Sequence, residues 1–353
     1  MVRKNNQPRA MVSLPAVRGI QAGMEYYVVM CPLDYVTKLF QYIDESLSPD
    51  MRAQRILNKQ RIPEMCEYIL DNPNSYVFSA LTASVDGEIE FEESTDYRFG
   101  FLKIGSGSRI LINDGQHRRA AIQEAIKKNP KLKDEDISIV MYYDLGLKRS
   151  QQMFTDLNRH AVRPTMSLNI LYDNRDPFSL LIKDCIAEIE VFKDRVELEK
   201  STISNRSRAL FTLSGIYHAT KDLLLNLDID EKNRKAFIVA FWNCVAKNTP
   251  PWISAKTGKI SPVDFRREYI CAHSIALKAI GAAGNLCIKH YPTSWHEILN
   301  NLNKIDWRKD NKDFDGRVLV NGKIASSRNN QSALTEYIKD KLGLSITRRK
   351  ETL

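Results

Sequence analysis

The sequence predicts an α+β chain: a mixed-sheet domain over residues 1–165, a mostly helical domain over 166–310, and a C-terminal hairpin, helix and basic tail over 311–353. Three observations carry this. Short β-branched and aromatic runs, bounded by Gly, Asp and Pro, crowd the chain as far as residue 143. Beyond Pro164 they give way to apolar stripes at helical spacing. One stretch, Arg109 to Ile122, joins both periodicities in a strand, a tight Asp-Gly turn and a helix.

Residues 1 to about 12 read as a loose basic arm, and Tyr26 to Val29 as a strand. A helix follows Pro32, with Leu33, Val36, Leu39, Phe40 and Ile43 on one stripe. The segment 50–71 is amphipathic and split by Pro63; from it project Gln54, Arg55, Gln60 and Arg61, as a solvated face or as arginines that reach the centre of the domain. Tyr76–Val85, Glu88–Phe91 and Phe99–Ile104 read as strands, with Asp86-Gly87 as a hairpin turn between the first two. The helix that starts at Gln116 ends at Lys128, before Pro130, and Ile137–Tyr143 is another strand. A helix over 147–161 carries Asp156-Leu157-Asn158-Arg159.

In the helical part Ser167 is positioned to cap a short helix to Tyr172, and Asp176-Pro177 is a strong helix start. Stripes then run through Phe178–Ile189, Leu210–Leu224, Phe237–Val245, Tyr269–Ile288 and Trp295–Leu302, and Asn248–Ser261 reads as a loop. A hairpin over Val318–Ile324 turns at Asn321-Gly322, and a last helix, Leu334–Leu342, closes at Gly343.

A net charge of +9 and an isoelectric point near 9.1 favour an anionic partner such as double-stranded DNA. The hydroxyl-rich run from Lys200 to Arg208 suits phosphate contacts through Lys200, Arg206 and Arg208, and Arg348 and Arg349 in the tail add nonspecific attraction. The six cysteines are widely spaced and read as reduced core thiols. A zinc site from Cys271, His273, Cys287 and His290 is the weaker reading, because no Cys-x-x-Cys pair exists. No secretory signal and no membrane-length apolar run is present, so a cytoplasmic protein with no membrane partner is expected.

The chemistry centres on Asn113-Asp114-Gly115-Gln116-His117-Arg118-Arg119. Gly115 permits a sharp turn, and the helix start behind it gathers bare N–H groups, a positive dipole end and guanidinium groups, an arrangement suited to phosphate. On these residues the chain resembles the DGQHR-domain family, and in length and layout its DndB branch, which accompanies bacterial DNA phosphorothioation (dnd) genes. The same strand-turn-helix is similar to the nucleotide corner of ParB N-terminal domains and sulfiredoxins. Gln116 stands where sulfiredoxins have their cysteine, which argues against sulfur-reducing chemistry.

The resemblance implies a ParB/sulfiredoxin-like first domain with a nucleotide site made by Gly115, His117, Arg118, Arg119, Asn158 and Arg159, with Arg55 and Arg61 reaching in. It implies a DNA-binding regulator of the phosphorothioation system, working beside the modification enzymes. Two alternatives stay open. One is an ATPase that assists modification, with ATP and Mg2+, Asp114 holding the metal and Gln116 or His117 positioning water. The other is a non-catalytic scaffold. A homo-oligomer is compatible with either.

Overall fold

The computed structural model describes residues 11–40, 57–143, 152–153, 155–157 and 164–344. The chain divides into two compact units, residues 1–162 and 163–353.

The first unit is built on a seven-stranded mixed sheet of order β4-β5-β1-β2-β7-β3-β6. Strands β1 (Met11–Gln21) and β2 (Met24–Pro32) form a hairpin through Ala22 and Gly23, whose φ angles of 51° and 75° match the tight turn that right-twisted strands prefer. Strand β1 begins at the last residues of the expected basic arm and was not foreseen; the arm's residues 1–10 lie outside the described residues. Pro15 and Gly19 obscure it in the sequence, yet Leu14 and Ala16 are buried on its inner face, and Gly19 leaves room for the Tyr26 ring, which would lie 2.6 Å from any added Cβ.

Strands β3 (Leu81–Asp86) and β4 (Ile89–Glu93) do not pair. β3 lies antiparallel to β6 (Arg109–Asp114) and parallel to β7 (Asp136–Tyr143), while β4 pairs with β5 (Phe99–Gly105). The expected Asp86-Gly87 hairpin is therefore a crossing between opposite ends of the sheet. Only two residues span it and three link β5 to β6, so the sheet curls until its two edges meet at that corner. Gly105 N–H and the Ser108 hydroxyl both donate to the Glu88 carbonyl there, at 2.9 Å each. Helices α1 (Leu33–Leu39), α2 (Ile62–Asp71) and α3 (Gln116–Lys128) pack over the face that presents Val29, Leu81, Ala83, Ile112 and Ile139.

The second unit is helical: α4 (Met166–Tyr172), α5 (Pro177–Glu188), α6 (Leu213–Leu224), α7 (Glu231–Lys247), α8 (Pro250–Lys256), α9 (Pro262–Glu268), α10 (Ser274–His290), α11 (Trp295–Leu299) and α12 (Arg328–Leu342). Two-residue pairings join β8 (Val196–Glu197) to β9 (Phe211–Thr212) and β10 (Leu319–Val320) to β11 (Lys323–Ile324). Asp176 caps α5 as expected, accepting from Phe178 N–H and Ser179 N–H. Thr165, not Ser167, caps α4; Ser167 is buried in the first turn against the Ser214 hydroxyl.

The expected loop 248–261 contains α8, because Pro250 and Pro251 occupy first-turn positions where a missing N–H costs nothing. The stripe from Tyr269 is interrupted at His273, whose backbone is extended, and the helix restarts at Ser274. Gly281 lets α10 lie on α6, since a Cβ there would stand 2.1 Å from the Ala219 carbonyl oxygen. Asn321 and Gly322 take φ of 51° and 70° in the expected hairpin. Phe314, Val318, Leu334 and Ile338 share one core with Trp242, Trp252 and Phe265, so the C-terminal segment is part of this unit's packing. All six cysteines are free thiols, five of them buried. No helix among the described residues is long and apolar enough to cross a membrane.

Candidate functional site

The corner lies where edge strand β6 delivers the chain to α3. Ile110 and Ile112 anchor the strand in the core, and Ala121, Ile122 and Ala125 anchor the helix. Gly115, at φ 105°, is the N-cap of α3, and the helix has no side-chain cap. A Cβ on Gly115 would lie 2.3 Å from Leu81 Cδ2, so glycine is required by space as well as by angle. The first backbone bond of the helix runs from Arg119 N–H to the Gly115 carbonyl, which leaves the N–H groups of residues 116–118 outside the helical ladder.

The three basic side chains diverge. Arg118 Nη1 donates to the Ser79 carbonyl at 2.5 Å, the Ser79 hydroxyl at 2.6 Å and the Ala80 carbonyl at 2.9 Å; its Nη2 meets Asp114 Oδ2 at 2.7 Å. It thereby ties the segment before β3 to the turn. Arg119 is buried and donates to the carbonyls of Thr37 and Phe40, at 2.8 and 3.2 Å, closing the C-terminal end of α1. The expected convergence of both guanidinium groups on one ligand is thus not what the fold holds: Arg119 serves the packing of α1.

His117 Nε2 accepts from Asn58 N–H at 3.0 Å. Burial first, then the Arg61 guanidinium, lower the pKa of this imidazole, and Asp114 only partly offsets them. His117 is therefore neutral at pH 7, with its proton on Nδ1. Arg61 is exposed at the end of the short turn Lys59–Arg61 that Asn58 caps. Asp114 is half exposed, and among the described residues its one hydrogen-bond donor is Arg118, to Oδ2. Asn113, one residue earlier and on the opposite face of β6, is buried with neither amide atom hydrogen bonded. Asn58 and Ser79 were not singled out from the sequence; the Asn-initiated turn before Arg61 was the one legible signal.

Arg55, Asn158 and Arg159, like Arg348 and Arg349, lie outside the described residues. Just before Asn158, the helical residues Gln152, Met153, Asp156 and Leu157 line a cavity of about 410 Å³ with Met24 and Tyr142. In the second unit Lys200, Arg206 and Arg208 are exposed around a loop that Arg266 holds from beneath, through the carbonyls of Ser204, Ser207 and Ala209. Cys271 and Cys287 are buried, and His273 Nε2 donates to the Arg266 carbonyl at 3.0 Å. Among the described residues no group of three His, Cys, Asp or Glu side chains is arranged to hold a metal ion.

A family model described as DndB, DNA-sulfur modification-associated, matches residues 14–345, nearly the whole chain. The chain belongs to the DndB family. No curated protein and no solved structure matches it. The match spans both units, so the DndB assignment covers the sheet with its corner and the helical unit alike, and it ties the chain to DNA sulfur modification.

Proposed function

We propose that this DndB-family protein is a DNA-binding regulator of DNA sulfur modification, acting beside the modification enzymes, and that a nucleotide phosphate docks at the start of α3. The observation that carries the second part is the uncapped helix behind left-handed Gly115. Its first-turn N–H groups lie outside the helical ladder beside a neutral imidazole, with exposed Arg61 close enough to perturb that imidazole. Backbone donors and a positive helix end favour an anion without needing Arg118 or Arg119. In this reading Arg118 positions the turn, Arg61 and His117 Nδ1–H supply side-chain donors, and Gln116 borders the ligand. ATP is the nucleotide proposed, and Asp114 would be the residue to hold its Mg2+.

The function proposed for the corner is sensing. Hydrolysis asks Asp114 to serve a metal fully while it is paired to Arg118. Titration of the full chain with fluorescent ATP and Mg2+ tests the site. Arg61→Ala is expected to weaken binding about tenfold, as the loss of one charge-assisted contact does. Phosphate release is expected to stay at background. Unaltered affinity in Arg61→Ala removes the site as drawn, and steady turnover that disappears in Asp114→Ala replaces the sensor with an enzyme.

A further inference from the structure

A cavity of about 740 Å³ lies wholly inside the helical unit, remote in sequence from the DGQHR corner. Its walls are the 201–205 loop, α9 and the start of α10. Two properties define what it accepts. Its lining carries Ser201, Thr202, Asn205, Ser274 and Ser326, with Arg267 beside them, whose Nη2 is paired with Asp264 and Glu268 at 2.6 and 2.8 Å; no Asp or Glu itself lines the cavity. Its buried lining is apolar, made of Phe211, Ala272, Ile275 and Leu277. Hydroxyls, an amide and a guanidinium over a lipophilic base suit an anion joined to a flat, weakly polar body.

Two further facts point the same way. The full net charge of +9 resides in residues 163–353, while the charges of residues 1–162 cancel. The loop that forms one wall is flanked by exposed Lys200, Arg206 and Arg208. It is also held in shape by four carbonyl contacts from Arg266, at 2.7 to 3.5 Å, so the wall is a built surface.

We infer that this cavity binds one nucleotide unit, its phosphate at the hydroxyl lining over the first turn of α10 and its base or sugar against Phe211. The inference rests on the DNA-binding reading for its ligand class and is independent of the α3 corner. The nucleotide is either free or borne by a DNA strand; the chemistry recognised is the same.

The test places carboxylates where the lining has none. Thr202→Glu with Ser326→Glu changes two exposed positions, and Thr202→Lys with Ser326→Lys is the opposite-charge control. Binding of a fluorescein-labelled single-stranded hexanucleotide, and of fluorescent adenosine monophosphate, is measured on the full chain. The glutamate pair is expected to lose about tenfold or more in hexanucleotide affinity, and the lysine pair to keep or gain it. Loss of the mononucleotide as well assigns the site to free nucleotides too; loss of the hexanucleotide alone assigns it to a strand. A glutamate pair that binds both probes like the wild type overturns the cavity site and leaves the DNA-binding reading standing. A wild-type chain that retains neither the hexanucleotide nor duplex DNA overturns that reading with it.

Discussion

Arg118 and Arg119 are adjacent in sequence and part company in space, because successive residues of an α-helix point about 100° apart. That much was available from the sequence: a His-Arg-Arg run at a helix start cannot aim every side chain at one ligand. What the sequence did not reveal was the destination of each, since the carbonyls of Thr37, Phe40, Ser79 and Ala80 belong to segments brought in only by the fold. Gly115 was legible, and its role is testable. Gly115→Ala meets both a left-handed φ and Leu81, and is expected to cost about 2–4 kcal/mol, read as a lowered urea midpoint; a loss below about 1 kcal/mol means that the turn relaxes. His117 supplies a pH dependence. Its folded pKa lies below its unfolded value of about 6.5, so the folded state holds fewer protons and stability declines as pH falls through that value. The stability difference between wild type and His117→Gln is expected to be constant above about pH 6.5 and to shrink below it, as protonation ends the acceptance from Asn58 N–H.

At the scale of elements, legibility followed locality. Strand β7, helix α3, the Asp176-Pro177 start and the Asn321-Gly322 hairpin each depend on residues within a few positions, and each appears where expected. Strand β1 and the β3–β4 link depend on distant partners. Pro15 and Gly19 look like breakers until Phe101 and Tyr26 are seen opposite them, and Asp86-Gly87 looks like a hairpin until β6 and β7 claim β3. The loop expected over 248–261 and the helical stripe expected from Tyr269 differ for a related reason: Pro250 and Pro251 begin a helix, while an extended His273 divides an otherwise continuous stripe. The local signals make a sharp prediction. Asp176→Ala removes acceptance from two N–H groups at the start of α5 and is expected to destabilise the chain by about 1 kcal/mol. The folded pKa of Asp176 is lowered by the hydrogen bonds it accepts, which outweigh the opposing effect of burial. Its stabilising contribution is therefore full above about pH 4 and lost as pH falls through the folded value. Equal urea midpoints of wild type and Asp176→Ala at pH 7 exclude this cap as a stabilising element.

The whole molecule separates its two proposed tasks along the chain. Each unit has its own hydrophobic core, and no residue of one cluster lies in the other unit, so each has what a domain needs to fold alone. The charge is divided just as sharply: residues 1–162 are balanced and hold the α3 corner, while residues 163–353 carry the entire +9. Phosphate binding by surface cations releases counterions, so affinity for duplex DNA must fall steeply with salt, and the slope counts contacts. The helical unit expressed alone is therefore expected to bind duplex DNA with a steep salt dependence, and the sheet unit alone to bind ATP and Mg2+ but not DNA. Replacing Lys200, Arg206 and Arg208 by alanine lowers the log–log salt slope by about 1 for each residue that touches a phosphate. Gel retardation at a series of salt concentrations reads all of this. DNA binding by the neutral sheet unit as tight as by the cationic one would mean that a local surface, and not the charge of the helical unit, draws this protein to DNA.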